Sequence, residues 1–292
     1  MKGVLLAGGS GTRLYPLTHN LSKQMLPVYD KPLIYYSLSS LMMAGIRDVL
    51  IVSSSMHLSG FKSLLGNGRK WGMELRYVSQ KEPGGIAHAL ILAETFLESE
   101  SCVLALGDNL FLGHDMETLI HRAIENNTGA TIFACPVEDP ERYGVLELGD
   151  NGVALSIEEK PKIPKSTYAV TGFYVYDSGV VEFAKRLVPS SRNELEITDI
   201  NKIYLKEGRL KVEIIDDKIQ WIDTGTHESL LGASNLVKNM QSELGAKICC
   251  PEEIAWEKKW ITKQQFYEIA IASRSSQYGE YLMKKYQSIY LI

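Results

Sequence analysis

The sequence predicts an α/β fold: a Rossmann-like, mostly parallel sheet flanked by helices, with an appended β region and a set of C-terminal helices. Three observations carry it. Short apolar runs of strand length alternate with helical patterns through the first 136 residues, and β-α units of that size pair in parallel because each crossover returns over a sheet face. After Pro140 the pattern changes to closely spaced strand pairs, and from Pro251 onward the chain reads as helical and relatively polar.

The elements follow in order. Lys2–Leu6 is a short apolar run ending in glycines, as a buried strand does. Pro32 suits a first helical position, Ile34, Leu38, Leu41 and Met42 recur at helical spacing, and Gly45 stops the run. Next come strand Asp48–Ser53, a helix near His57–Leu65, strand Glu74–Ser79, helix Ile86–Leu97, strand Cys102–Leu106, helix Met116–Asn126 and strand Ala130–Pro136. Val145–Leu148 and Val153–Ile157 flank "GDNG", whose Asn151-Gly152 pair suits a tight hairpin. Strand Val170–Tyr176, a helix near Val180–Leu187, strand Lys211–Ile215, a strand-like "IQWID" and a helix from about His227 to Gln241 complete this part. No repeat or low-complexity linker interrupts the chain. It reads as one domain, 1–292, in three parts: 1–136, then 137–242 adding strands to the same sheet, then a helical segment 243–292.

Composition narrows the class. The formal net charge of -4 gives no basic stripe, which argues against nucleic acid as a partner. Small anions remain admissible, because they respond to local cations. No apolar run approaches the roughly 20 residues of a membrane span, so no membrane partner is expected. The apolar run Val4–Ala7 is too short for a signal peptide. Cys102, Cys135, Cys249 and Cys250 show no CxxC spacing, so reduced thiols and a cytoplasmic location are expected. The six histidines form neither HxH nor HExxH, which argues against a histidine-rich metal centre.

The chemistry concentrates in "GVLLAGGSGTRLYPLTHNLSKQMLPV", starting at Gly3. A strand that ends in glycines at the C-terminal edge of a parallel sheet is where open α/β folds bind ligands. Successive backbone N–H groups in such a turn make a concavity for anions. The dinucleotide fingerprint fails, since position 14 is Leu14, and no GxxxxGK[ST] occurs. Arg13 offers a planar fork of donors for phosphate oxygens and Lys23 a point charge. Asp108 in "CVLALGDNLF" follows a buried strand at the same sheet edge; Asp223 lies in "WIDTGTHE". Singly, each suits a turn or a helix start. Read with a triphosphate loop, two carboxylates at strand ends suit Mg²⁺, which takes one or two carboxylates plus phosphate oxygens and water. "DTG" also invites an aspartic protease, but that chemistry needs two aspartates sharing a proton and the tripeptide occurs once.

Together, "LAGGSGTRLYPLT…SKQMLPV", "ALGDNLF", "EEKP" and "WIDTGT" make the chain resemble the sugar-phosphate nucleotidyltransferases, over nearly its full length. The resemblance implies Mg²⁺-dependent attack of glucose 1-phosphate on the α-phosphorus of dTTP, giving dTDP-glucose and pyrophosphate, a first step toward dTDP-deoxysugars such as dTDP-rhamnose. It assigns the nucleotide to Gly8, Gly9, Ser10, Gly11, Thr12, Arg13, Lys23, Gln24 and Asp108, and the thymine to Gln80 and Gly85. Gln80 carries acceptor and donors on one amide, as reading a pyrimidine edge requires; Gly85 would let backbone approach the base. The sugar phosphate falls to Asn109, Gly144, Glu159, Lys160 and Val170 in the appended, sugar-binding β region. Along Val153, Leu155, Ile157 and Glu159, period-2 alternation puts a carboxylate on an apolar face, where it needs partners. Asp108 and Asp223 are the implied metal ligands, and Arg13, Lys23, Asp108, Lys160 and Asp223 the catalytic set.

No histidine base is needed, because the attacking phosphate is already mostly ionised (second pKa roughly 6). The resemblance also implies a homotetramer, inhibited by a deoxysugar nucleotide near "CCPEEIAWEKKWIT". Two positions depart from close relatives: Gly84, where a more polar residue is common, and Glu257, where a basic one is. A UTP-using enzyme is the same-class alternative. A nucleotide-sugar sensor is the non-enzyme alternative, although Arg13, Lys23, Asp108 and Asp223 are all present.

Overall fold

The computed structural model describes residues 1–9, 11–113, 115–150 and 152–288. Its centre is a nine-stranded sheet in the order Ala154–Glu159, Gly144–Leu148, Tyr168–Tyr176, Cys102–Leu106, Lys2–Ala7, Asp48–Ser54, Glu74–Gln80. Ala130–Pro136 also pairs with Tyr168–Tyr176 and carries Leu210–Ile214 on its far side. Tracing the pairings, seven strands point one way; only Tyr168–Tyr176 and Ala154–Glu159 run against them. The sheet is mostly parallel, as expected, and the later strands extend it.

The parallel half forms as its sequence dictates. Val4 and Leu5 are fully buried on opposite faces, which is why the run reads as continuously apolar. One face packs on Leu33–Met43 and Met116–Glu125, the other on Ile86–Leu92, Val180–Lys185 and Ile197–Lys206. The last helices, Pro251–Glu257, Lys263–Ala272 and Gln277–Ser288, join the first face through Cys250, Ala255, Phe266 and Leu282.

Four differences from the sequence reading have physical causes. Pro32 ends a short strand and precedes the helix Leu33–Met43, where its missing N–H costs nothing. The helix expected over Ile86–Leu97 breaks at Ala93 into Ile86–Leu92 and Glu94–Leu97. The helix Ile197–Lys206 was absent from the sequence reading, although Ile197, Ile200 and Tyr204 mark one buried face. The hairpin after Leu148 forms, but Asn151 lies outside the described residues. Among the described residues, no helix is long and apolar enough to cross a membrane.

Candidate active site

The glycine loop follows the first strand and is held from below. Gly11 has φ +59°, and a Cβ there would sit 2.9 Å from Thr18 Cγ2, so the turn requires glycine twice over. Thr18 Oγ1 donates to the Gly11 carbonyl at 2.8 Å. Gln24, expected to meet nucleotide, spends its amide on the chain: Nε2 donates to the Gly8 carbonyl at 3.0 Å and Oε1 accepts from Ser22 at 2.5 Å. It is buried and braces the loop. Gly8, Gly9, Gly11, Thr12, Arg13, Lys23 and Asp108 line one cavity of ≈ 200 Å³; Ser10 lies outside the described residues.

Lys2–Ala7 and Cys102–Leu106 are parallel neighbours in register, so the turns after both strands open at the same edge. Asp108 thereby reaches the glycine loop. A small second sheet brings the other carboxylate: Asp223 ends the strand Gln220–Asp223 directly opposite Asn109. Thr224 Oγ1 locks that junction by donating to the Asp108 carbonyl at 3.0 Å. Lys23 Nζ then stands 2.9 Å from Asp108 Oδ2 and 3.6 Å from Asp223 Oδ1. Two residues 115 positions apart share one ammonium.

Electrostatics separate the two acids. Burial raises the pKa of each. For Asp108 the Lys23 charge, with hydrogen bonds from Lys23 and Asn109, outweighs burial and holds the carboxyl below its ordinary value. For Asp223 the negative Asp108 adds to burial, and the carboxyl lies above its ordinary value. This pair fits a divalent cation: both carboxylates face one cationic centre at the glycine loop. Among the described residues there is no cluster of three or more His, Cys, Asp or Glu that could close a protein-only cage.

Beside this centre lies a cavity of ≈ 490 Å³, lined by Arg13, Asn109, Lys160, Val170 and Asp223 among others. Three expected sugar residues meet across adjacent strands: Gly144 is the registered partner of both Glu159 and Val170. The period-2 reading behind Glu159 is corrected, however. Val153 and Leu155 are exposed while Ala154 and Ile157 are buried, because a register shift between Ala154 and Ser156 interrupts the alternation. Beyond the shift the pattern resumes, and Glu159 turns inward. It accepts from Thr198 Oγ1 at 2.6 Å and Arg192 at 3.0 Å, so the partners it needs are supplied. Lys160, with φ +43°, is held by its N–H to the Tyr143 carbonyl at 2.9 Å. Left-handed backbone in a non-glycine residue costs about 1–3 kcal/mol and gathers at functional sites.

Asn109 ties the halves together. Its Oδ1 accepts from Gly172 N at 3.0 Å and Trp221 Nε1 at 2.6 Å, and its Nδ2 donates to Asp108 Oδ1 at 2.9 Å. Gln80 Nε2 donates to the Gly85 carbonyl at 3.3 Å and lies 3.1 Å from His88 Nδ1. Gly85 also meets the chain closely: a Cβ there would lie 2.4 Å from the Leu195 carbonyl oxygen.

Sequence reasoning missed Arg142, Tyr143, Arg192 and Trp221, which also line the larger cavity. Arg142 and Tyr143 sit in the same "ERYG" that pointed to Gly144. Arg192 belongs to a polar loop just before the helix that was missed.

The nucleotidyl transferase family model matches residues 2–240. The glucose-1-phosphate thymidylyltransferase of Neisseria meningitidis is 49% identical over 97% of this chain and 99% of its own length. That of Mycobacterium tuberculosis is 47% identical over 97% and 98%. Among solved structures, a glucose-1-phosphate thymidylyltransferase from Bacillus anthracis in complex with a sucrose superposes with a TM-score of 0.75 at 44% identity, covering 81% of this chain and 94% of that one. A UDP-glucose pyrophosphorylase complexed with UDP-glucose gives a TM-score of 0.72 at 27% identity, covering 82% and 98%. With a family model across most of its length and relatives this similar from end to end, the chain belongs to the nucleotidyl transferase family, as an enzyme related to the glucose-1-phosphate thymidylyltransferases.

Proposed function

We propose that this enzyme transfers the thymidylyl group of dTTP to glucose 1-phosphate, releasing pyrophosphate and forming dTDP-glucose. One observation carries the assignment of residues: Lys23 bridges Asp108 and Asp223 at the glycine loop, beside a cavity where Gly144, Glu159 and Val170 adjoin. Asp108 and Asp223 would hold Mg²⁺, which when bound polarises the α-phosphate. The chain's own groups do the rest. The glycine loop, Arg13 and Lys23 take the triphosphate and the charge building on pyrophosphate. Lys160 takes the sugar phosphate, Glu159 accepts from sugar hydroxyls, and Asn109 positions Asp108. Binding both reactants side by side supplies most of the remaining advantage.

Pyrophosphate release, measured for dTTP and UTP against a panel of sugar 1-phosphates, tests this. The expected result is a larger kcat/KM for dTTP with glucose 1-phosphate, abolished in Asp223→Ala with the circular dichroism spectrum retained. A preference for UTP would move the assignment to uridylyl transfer, and absence of magnesium-dependent turnover would leave a sensor. dTTP and UTP differ by a methyl and a 2′-hydroxyl, and one methyl is worth about 1–3 kcal/mol of discrimination.

The rest of the assignment is similarly open to measurement. The product suits a route to dTDP-deoxysugars such as dTDP-rhamnose. The free, buried cysteines favour a reducing compartment, and we place the reaction in the cytoplasm. We assign segment 243–292 to regulation and to contacts of a homotetramer, which sedimentation would detect. End-product inhibition would use a cavity of ≈ 580 Å³ whose wall includes Glu117, Glu253 and Glu257. Burial, then the charge of Glu253, raises the Glu257 pKa. Lys247 and Lys258 line the same wall, with Lys258 paired to Glu117 at 2.7 Å. Unchanged steady-state rates with micromolar dTDP-rhamnose would remove the regulatory assignment.

A further inference from the structure

Arg142 occupies an unusual position for a residue outside the expected site. It ends the short turn Pro140–Arg142 and divides its guanidinium between two acids. One nitrogen donates to Asp139 Oδ2 at 2.5 Å and the other to Asp223 Oδ2 at 3.3 Å. The guanidinium carbon stands 5.3 Å from the Tyr143 ring centre, and that ring packs edge-on against Trp221 at 5.1 Å. With Lys23 at 3.6 Å from Oδ1, both oxygens of Asp223 face a cationic side chain.

That arrangement cannot persist when Asp223 ligates a divalent ion. Two positive charges would then crowd one carboxylate, and a side chain that keeps another acidic partner can give way. Arg142 has such a partner: Asp139 stays bonded as a tether. The cavity it lines also holds Arg13, Lys160 and Arg192, with Glu194 and Asp223 beside them, so its cations outnumber its acids, and a guanidinium fork matches phosphate oxygens well.

We infer that Arg142 is exchanged by the metal: it neutralises Asp223 until a divalent cation takes that carboxylate, then pivots on Asp139 to bind the phosphate of the sugar phosphate. In each state the Arg142 guanidinium keeps an acidic or phosphate partner, which avoids leaving a partly buried charge unpaired. Because the metal liberates a ligand for the second substrate, the two binding events favour one another. The inference rests on the assignment of Asp108 and Asp223 as metal ligands.

Mn²⁺ binding to the enzyme without nucleotide or sugar, followed by electron paramagnetic resonance, tests it in wild type, R142M and D223N. R142M is expected to bind Mn²⁺ at least fivefold more tightly than wild type. In steady state its KM for glucose 1-phosphate should rise about tenfold with a smaller change in kcat, and R142K should recover part of the loss. Equal or weaker Mn²⁺ binding by R142M, including no detectable binding by either protein, overturns the exchange. D223N binding Mn²⁺ as well as wild type overturns instead the metal assignment beneath it.

Discussion

The half that holds the glycine loop and the half that builds the larger cavity beside it obey different rules. In residues 1–136 the strands that carry the site run parallel, so each places its following turn at one edge. Gly8–Arg13 and Asp108 meet because Lys2–Ala7 and Cys102–Leu106 share a register, and no side-chain detail is needed to foresee it. In residues 137–242 the site depends on two strands running against the rest. It also depends on a register shift between Ala154 and Ser156, and on the helix Ile197–Lys206, whose Thr198 meets Glu159. A motif is enough where topology delivers the residue. Where direction and register deliver it, local pattern misleads.

The comparison can be broken at its strong end first. Arg13→Ala should lower kcat by on the order of 10³–10⁵, the range for arginines that stabilise phosphoryl-transfer charge. Thermal melting should be nearly unchanged, because Arg13 is exposed in this structure. A loss below tenfold would remove the glycine-loop half from the chemistry.

On the sugar side, Glu159→Gln keeps shape but loses charge. Hydrogen bonds to charged groups are worth about 1.5–3 kcal/mol, so KM for glucose 1-phosphate should rise roughly ten- to a hundredfold. Thr198→Val removes one neutral donor to the same carboxylate and should act through Glu159. An effect corresponding to about 0.5–1.5 kcal/mol that vanishes in the Glu159→Gln background would establish the coupling; additive effects would refute it.

The seam between the halves has its own test. Gly85, at φ +86° and ψ 174°, occupies backbone space nearly reserved for glycine, and Leu195 fills the place of a Cβ. Gly85→Ala should cost about 1–3 kcal/mol by urea unfolding and more if the Leu195 backbone cannot move. Stability equal to wild type would mean the halves are not packed through this glycine.

The smallest effect is expected at the thiols. Burial pushes Cys102 up to about 12 and Cys135 and Cys249 up to about 11, and raises Cys250 well above its ordinary value. Each shift favours the neutral thiol in the folded state, so the thiolate needed for reaction is scarce below those values. Native protein at pH 8 should leave an aromatic disulfide reagent unreacted, and urea should release all four thiols.

Much of this was legible locally. Apolar runs ending in Gly8, or just before Asp108, announce strands that deliver polar groups to one edge, since period and punctuation are sequence properties. "WIDTGT" announced a carboxylate at a strand end. The residues that went unread share a different character. Arg142 and Arg192 lie in polar loops, where a solvated face and a cavity wall look alike. Gln24 stands among residues expected to contact ligand, and its amide also bonds Gly8 and Ser22. Gly85 is also packed on Leu195, 110 positions onward, where a Cβ would go.

By itself, then, the sequence determined which segments become buried strands, where glycines bend the chain, and which charged residue types are present for a polyanion. Those follow from hydrophobic period and backbone sterics, which act over a few residues. Only the tertiary structure decided that Lys23 stands between Asp108 and Asp223, that Glu159 turns inward after the shifted register, and that Arg142 leans on a metal-type carboxylate. Each of these is a distance between groups far apart in the chain, and such distances are set by strand pairing and packing together.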